Sequence, residues 1–222
     1  IFNGITGQDY AVRALETAVR TGPSHAYLLA GPAGSGKMAA ALRLAAALCC
    51  EGGGCGACAS CEKALKGTHP DIAVAAPAGA FITVDQVREI NRSLNLRPHE
   101  SRARVFIVAP AEAMNAESAN AFLKSLEEPP SFVFFILLAE RIDRVLPTLV
   151  SRCQPVRFGP VPAADIEARL IAEHGLSPVM AQALARVSSG NLSQALALAG
   201  DPELAARRQR YLNIAIDLCR GG

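Results

Sequence analysis

The run GPAGSGKM, Gly31 to Met38, has the residue types and spacing of a loop that wraps phosphate. It follows the apolar stretch Ala26–Ala30 and opens a segment in which Met38, Ala41, Leu42, Ala45 and Leu48 recur at helical period, the strand–loop–helix setting that gives such a motif meaning. Gly31, Gly34 and Gly36, with Ser35 among them, let backbone amides turn towards phosphate oxygens. The helix N-terminus adds positive potential, and Lys37 can reach the outer phosphates. A Gly-rich turn that holds no ligand is the plain alternative. Met38 departs from the pattern, because the hydroxyl expected after the Lys would bind Mg²⁺ and a thioether is a poor ligand for a hard cation. Hydrolysis also needs carboxylates at the end of a neighbouring strand. The run Arg104–Ala109 ends instead in Pro110 and Ala111. Glu112 and Glu117 lie further on and read as solvated or helix-start acids. Mg²⁺ is not expected here, ATP or ADP binding is weak at best, and hydrolysis is not expected.

Cys50, Cys55, Cys58 and Cys61 follow C-x4-C-x2-C-x2-C within a Gly-rich turn. In a reducing compartment such spacing favours a metal over disulfides. Four thiolates suit a closed, tetrahedral, structural Zn²⁺ site with no open position for water. The alternative is a set of reduced cysteines without metal. Cys49 competes with Cys50, and since adjacent helical residues point about 100° apart only one should serve; Cys50 is preferred. His69 reads as structural, and Cys153 and Cys219 as small apolar core residues. Arg152, between Ser151 and Cys153, says little by chemistry alone, since an exposed Arg is usually a solvated charge.

The elements that must position these residues are read from periodicity. Five strand-length apolar runs, Ala26–Ala30, Ile72–Ala76, Arg104–Ala109, Phe132–Leu138 and Cys153–Phe158, alternate with helical segments, which predicts an α/β domain with a five-stranded parallel sheet. Thr83 and Gln86 form a capping box ahead of the stripe Val84, Val87, Ile90 and Leu94. Asn115 caps a helix with Ala119, Phe122, Leu123 and Leu126 on one face, stopped near Glu128 by Pro129 and Pro130. Beyond Gly159 the chain reads as three short helices, about 163–174, 178–188 and 191–199, with Gly175 and Gly190 as stops. The stretch from Asp201 reads as one more helix, whose Leu204, Tyr211, Leu212 and Ile216 lack a partner. Half of the 222 residues are hydrophobic and 19% are charged, which excludes disorder as the main state. The net charge of +2 gives little support to a stand-alone nucleic-acid binder. The apolar run Phe132–Ala139 is too short to span a bilayer, and the start at Ile1 shows no leader, so a cytoplasmic protein is expected.

Taken together, GPAGSGK at 31–37, preceded by SHAYLLA, the four-cysteine excursion, GTHPD at 67–71, NAFLKSLEEPP at 120–130 and SRC at 151–153 resemble the bacterial DNA polymerase III clamp-loader family, over about Gly7 to Gly200. The resemblance implies an AAA+ P-loop domain over 1–160, with the zinc excursion at about 49–62. A helical lid at 161–202 follows, and then the start of a truncated helical collar at 203–222. The family holds gamma/tau ATPase motors and a silent subunit that shares their fold. The motor's Mg²⁺ hydroxyl falls on Met38, its strand-end acids on Ala109 and Pro110, and its lid arginine on Ser193. These departures align the chain with the silent type. The SRC motif then implies that Arg152 is an arginine finger acting on an adjacent motor's ATP. The implied partners are the gamma/tau and delta subunits, with the sliding clamp and primed DNA reached through the complex, as part of the DNA polymerase III holoenzyme. Two alternatives are an active gamma/tau-like ATPase using Glu112 as its acid, and a zinc-bearing DNA-binding module.

Overall fold

A computed structural model describes residues 1–201. The expectations for the collar at 203–222 and for Cys219 lie outside the described residues. The described chain divides into two compact units, the first Ile1–Gly159 and the second beginning at Pro160.

The first unit contains β1 (Ala26–Ala30), β2 (Ile72–Ala75), β3 (Arg104–Val108), β4 (Val133–Ala139) and β5 (Gln154–Arg157). All pairings are parallel and the order is β2-β3-β4-β1-β5. The expected five-stranded parallel sheet is met, with boundaries within a residue or two. Alternation along β1 shows why its run is wholly apolar: Ala26, Leu28 and Ala30 enter one core and Tyr27 and Leu29 the other. The edge strands β2 and β5 carry exposed residues, as a strand covered on one side only allows.

One face of the sheet is covered by α4 (Val84–Ser93), α5 (Ala116–Glu127) and the short α6 (Pro147–Val150). Thr83 and Gln86 form the reciprocal capping box, with Gln86 N donating to Thr83 Oγ1 at 3.3 Å and Thr83 N donating to Gln86 Oε1 at 2.9 Å. Asn115 Oδ1 accepts from Ser118 N at 2.8 Å and starts α5, which buries Ala119, Phe122 and Leu126. Phe122 meets Phe135 of β4 edge-on, with ring centroids 5.0 Å apart. The other face is covered by α1 (Asp9–Thr21) and α2 (Lys37–Cys49), whose Ala40, Ala41, Leu44, Ala45 and Leu48 are buried. Small Ala side chains let α2 lie close against the sheet and thereby set where its N-terminus sits. After α2 the chain turns through the cysteines into α3 (Ala59–Leu65) before β2.

The second unit consists, among the described residues, of α7 (Ala163–His174), α8 (Pro178–Val187) and α9 (Leu192–Ala199) around Val161, Ile166, Leu170, Ala181, Leu184 and Ala195. Gly175 ends α7 in the left-handed region, φ 62°. Asn191 caps α9 through its side chain, so α9 starts one residue later than the periodicity suggests.

Candidate functional site

In an open parallel sheet, ligands collect beyond the C-terminal strand ends. The order β3-β4-β1 brings three such ends together: the Gly31–Met38 loop after β1, Ala109-Pro110 after β3, and Glu140 after β4. Gly34 (φ 67°) and Gly36 (φ 92°) adopt left-handed backbone that turns the loop into α2. Gly31 serves a different end from the one its place in the motif suggests. A Cβ there would lie 2.3 Å from the Phe158 carbonyl oxygen, so glycine is required for close passage of the chain after β5. Ser35 is buried, and its hydroxyl has no hydrogen-bond partner.

Lys37 donates from Nζ to the carbonyls of Gly31 at 2.5 Å and Pro32 at 2.7 Å, so its ammonium is folded back onto its own loop. Burial lowers its pKa, while Glu140 and then Glu112 pull it the other way. Met38 is 39% exposed beside it and offers no hard ligand. Glu112 commits one carboxylate oxygen to the backbone, and its other, Oε2, is buried without a hydrogen-bond partner. Its Oε1 accepts from Glu140 N at 2.6 Å and Arg141 N at 2.8 Å, which ties the turn after β3 to the end of β4. The residues present therefore fit a phosphate-type loop but fit Mg²⁺-ATP poorly: Met38 stands where the hydroxyl would be and β3 is followed by Ala109-Pro110, so the carboxylate at a strand end near Lys37 is Glu140, after β4. Glu140 was not singled out from the sequence. The available signal was its place directly after the apolar run Phe132–Ala139, where a strand beside the loop ends.

Arg152 follows α6. Its Nε donates to Glu127 Oε1 at 2.9 Å, Nη2 donates to the same oxygen, and Nη1 donates to the Thr148 carbonyl at 2.9 Å and to Ser151 Oγ at 3.3 Å. The side chain keeps 32% exposure. Ser193 is an exposed residue of α9. Cys153 is buried, and burial pushes its thiol up to about 12.

Cys50, Cys55, Cys58 and Cys61 come together, with all four sulfurs within 4.8 Å of one another. Cys50 Sγ lies 3.8 Å from Cys55 Sγ and 3.7 Å from Cys58 Sγ. A tetrahedral thiolate cage with metal–sulfur bonds of about 2.3 Å separates its sulfurs by about 3.8 Å, whereas a disulfide needs about 2.05 Å. The cluster could hold a metal ion and is not disulfide-bonded. Burial pushes the Cys50 thiol up, but the main-chain N–H groups of Cys55, Gly54 and Gly52 outweigh it and bring it to about 6. The N–H groups of Ala57 and Cys58 likewise lower Cys55. Burial above all pushes Cys61 up to about 12. Cys49 lies apart from the cluster in the core, its thiol 3.5 Å from the Ala103 carbonyl, and burial pushes it up to about 11. His69, 3% exposed, shares a hydrogen bond with Ser60 Oγ at 3.0 Å and accepts from Asp71 N at 3.1 Å, so it joins α3 to β2 and does not ligate.

A family model described as DNA polymerase III, delta subunit, matches residues 7–162. The chain is 37% identical to DNA polymerase III subunit delta' of Bacillus subtilis over 86% of this chain and 58% of that protein. It is 40% identical to the delta' subunit of Pseudomonas aeruginosa over 83% of this chain and 55% of that protein. The chain thus spans a little over half the length of these curated relatives. Among solved structures, a DNA polymerase III gamma subunit-related protein from Thermotoga maritima superposes with a TM-score of 0.60 at 25% identity, covering 83% of this chain and 57% of that one. These matches lead to one conclusion: the chain belongs to the DNA polymerase III delta-subunit family, and within it to the delta-prime type.

Proposed function

We propose that this chain is the nucleotide-silent, delta-prime-type subunit of a bacterial clamp loader, which helps place a sliding clamp on primed DNA. In this reading it works in the cytoplasm beside gamma/tau ATPase subunits and a delta subunit. It completes a neighbouring ATPase site with Arg152 and contributes no turnover of its own. The observation that carries the reading is the state of its own loop. Lys37 is bonded to loop carbonyls, Met38 replaces the metal-binding hydroxyl, β3 is followed by Ala109-Pro110, and one oxygen of Glu112 is taken by main-chain amides. An arginine finger is worth on the order of 10³–10⁵ in rate for P-loop NTPases, through stabilisation of charge on the transferred phosphoryl group.

The four cysteines support structural Zn²⁺. Cys50, Cys55, Cys58 and Cys61 would hold it, with the main-chain N–H groups around Cys50 favouring the thiolate form. Its contribution there is to fold the excursion between α2 and β2. Among the described residues no helix is long and apolar enough to cross a membrane.

The test is ATP turnover by the full-length subunit alone with Mg²⁺. No turnover above background is expected. Robust turnover abolished by Lys37→Ala would overturn the reading and make the chain a motor.

A further inference from the structure

Arg152 is more fully engaged than an exposed arginine usually is. Of the five N–H donors of a guanidinium, four are directed at partners within its own chain: two at Glu127, one at Thr148 and one at Ser151. Glu127 is the last residue of α5. A carboxylate there faces the negative end of the helix dipole, an unfavourable place that a nearby cation offsets. Carboxylate and phosphate are the two anions that fit the guanidinium fork, and they compete for the same edges. The edge formed by Nε and Nη2 is the one that Glu127 holds.

We infer that Glu127 is a latch on Arg152. In the free subunit it holds the guanidinium in place, and it must give the guanidinium up before Arg152 engages a phosphoryl group on a neighbouring ATPase. The inference rests on the finger reading of Arg152 given above. While Glu127 stays paired, its negative charge cancels much of the field that the finger has to supply at developing phosphoryl charge. The two side chains are 32% and 49% exposed, so the pair is a modest one, as a contact that must exchange needs to be. Partly exposed ion pairs correspond to an equilibrium factor of up to about fivefold. The latch therefore tunes how readily the finger is released and does not abolish it.

The test has two arms. In the full-length subunit, solvent exchange of the Arg152 Nε–H followed by NMR should quicken about two- to fivefold in Glu127→Gln. In a loader reconstituted from full-length subunits, Glu127→Gln should raise ATP turnover without DNA by a similar factor. The double variant Glu127→Gln/Arg152→Ala should fall to the level of Arg152→Ala alone. Unchanged exchange would show that the pair does not hold Arg152 and would overturn the latch. Unchanged or lowered turnover in Glu127→Gln, with Arg152→Ala defective, would also overturn it while leaving the finger intact. If Arg152→Ala has no effect, the finger reading itself fails and the latch with it.

Discussion

Two cations, Lys37 and Arg152, are each held by oxygens of their own chain, but with different consequences. Lys37 is half-buried and bonded to main-chain carbonyls of its own loop, whereas Arg152 is held by a surface side chain from another helix. The same rule, that charge is stabilised where donors and acceptors are already fixed, explains Asp71. Its carboxylate is 2% exposed and accepts from His99 N at 2.5 Å, Glu100 N at 3.0 Å, and Ser101 N and Oγ at 3.1 and 3.0 Å. Burial alone would raise its pKa, but these donors outweigh it and hold it below the ordinary value. A depressed folded-state pKa gives stability that is complete above the unfolded value, near 4. That stability is lost as pH falls through the lower, folded-state value. Asp71→Asn should therefore cost on the order of 2 kcal/mol at neutral pH, read as a shift in urea midpoint, and should flatten the acid limb of the stability profile. Parallel acid limbs in the two proteins would show that Asp71 is not the group responsible.

The helices and strands show what a single sequence can and cannot reveal. The β1-loop-α2 unit, the capping box at Thr83 and the stop after Glu127 were readable, because each depends on local chemistry within a few residues. The order of the sheet and the closeness of Glu140 to Lys37 were not readable from the residues. They arise from pairing of β4 with β1 across more than a hundred residues, which leaves no local mark. The different duty of Gly31 was hidden for the same reason, since its neighbour is Phe158. The cysteine excursion lies between these cases. Spacing identified the thiols and favoured Cys50 over Cys49, and the structure places Cys49 apart from the other four, against Ala103. Because the excursion has its own small core of Ala46, Cys50, Cys61 and Ala64, losing a metal there should loosen this element without melting the sheet. Metal analysis of protein purified without added chelator should give about one zinc per chain. Chelation should raise hydrogen exchange through 50–65 while the amides of β1, β3 and β4 stay protected. A metal-free protein with equally protected 50–65 amides would contradict the zinc assignment.

At the scale of the whole molecule, the parallel sheet carries a phosphate-type loop, and in the proposed reading the groups at its strand ends do not serve metal-assisted hydrolysis. Structural and catalytic demands are separable because the sheet is held by the two cores, to which Met38, Pro110 and Glu140 contribute nothing. In the proposed reading the chain acts on ATP from outside its own loop, through Arg152. The decisive measurement is DNA-stimulated ATP hydrolysis by a loader reconstituted from full-length subunits, with Arg152→Ala or Lys37→Ala introduced in this chain alone. Arg152→Ala is expected to reduce the rate to what the remaining interfaces supply, and Lys37→Ala to leave it nearly unchanged. A rate lost with Lys37→Ala and kept with Arg152→Ala would contradict the proposed reading and identify this chain as a motor.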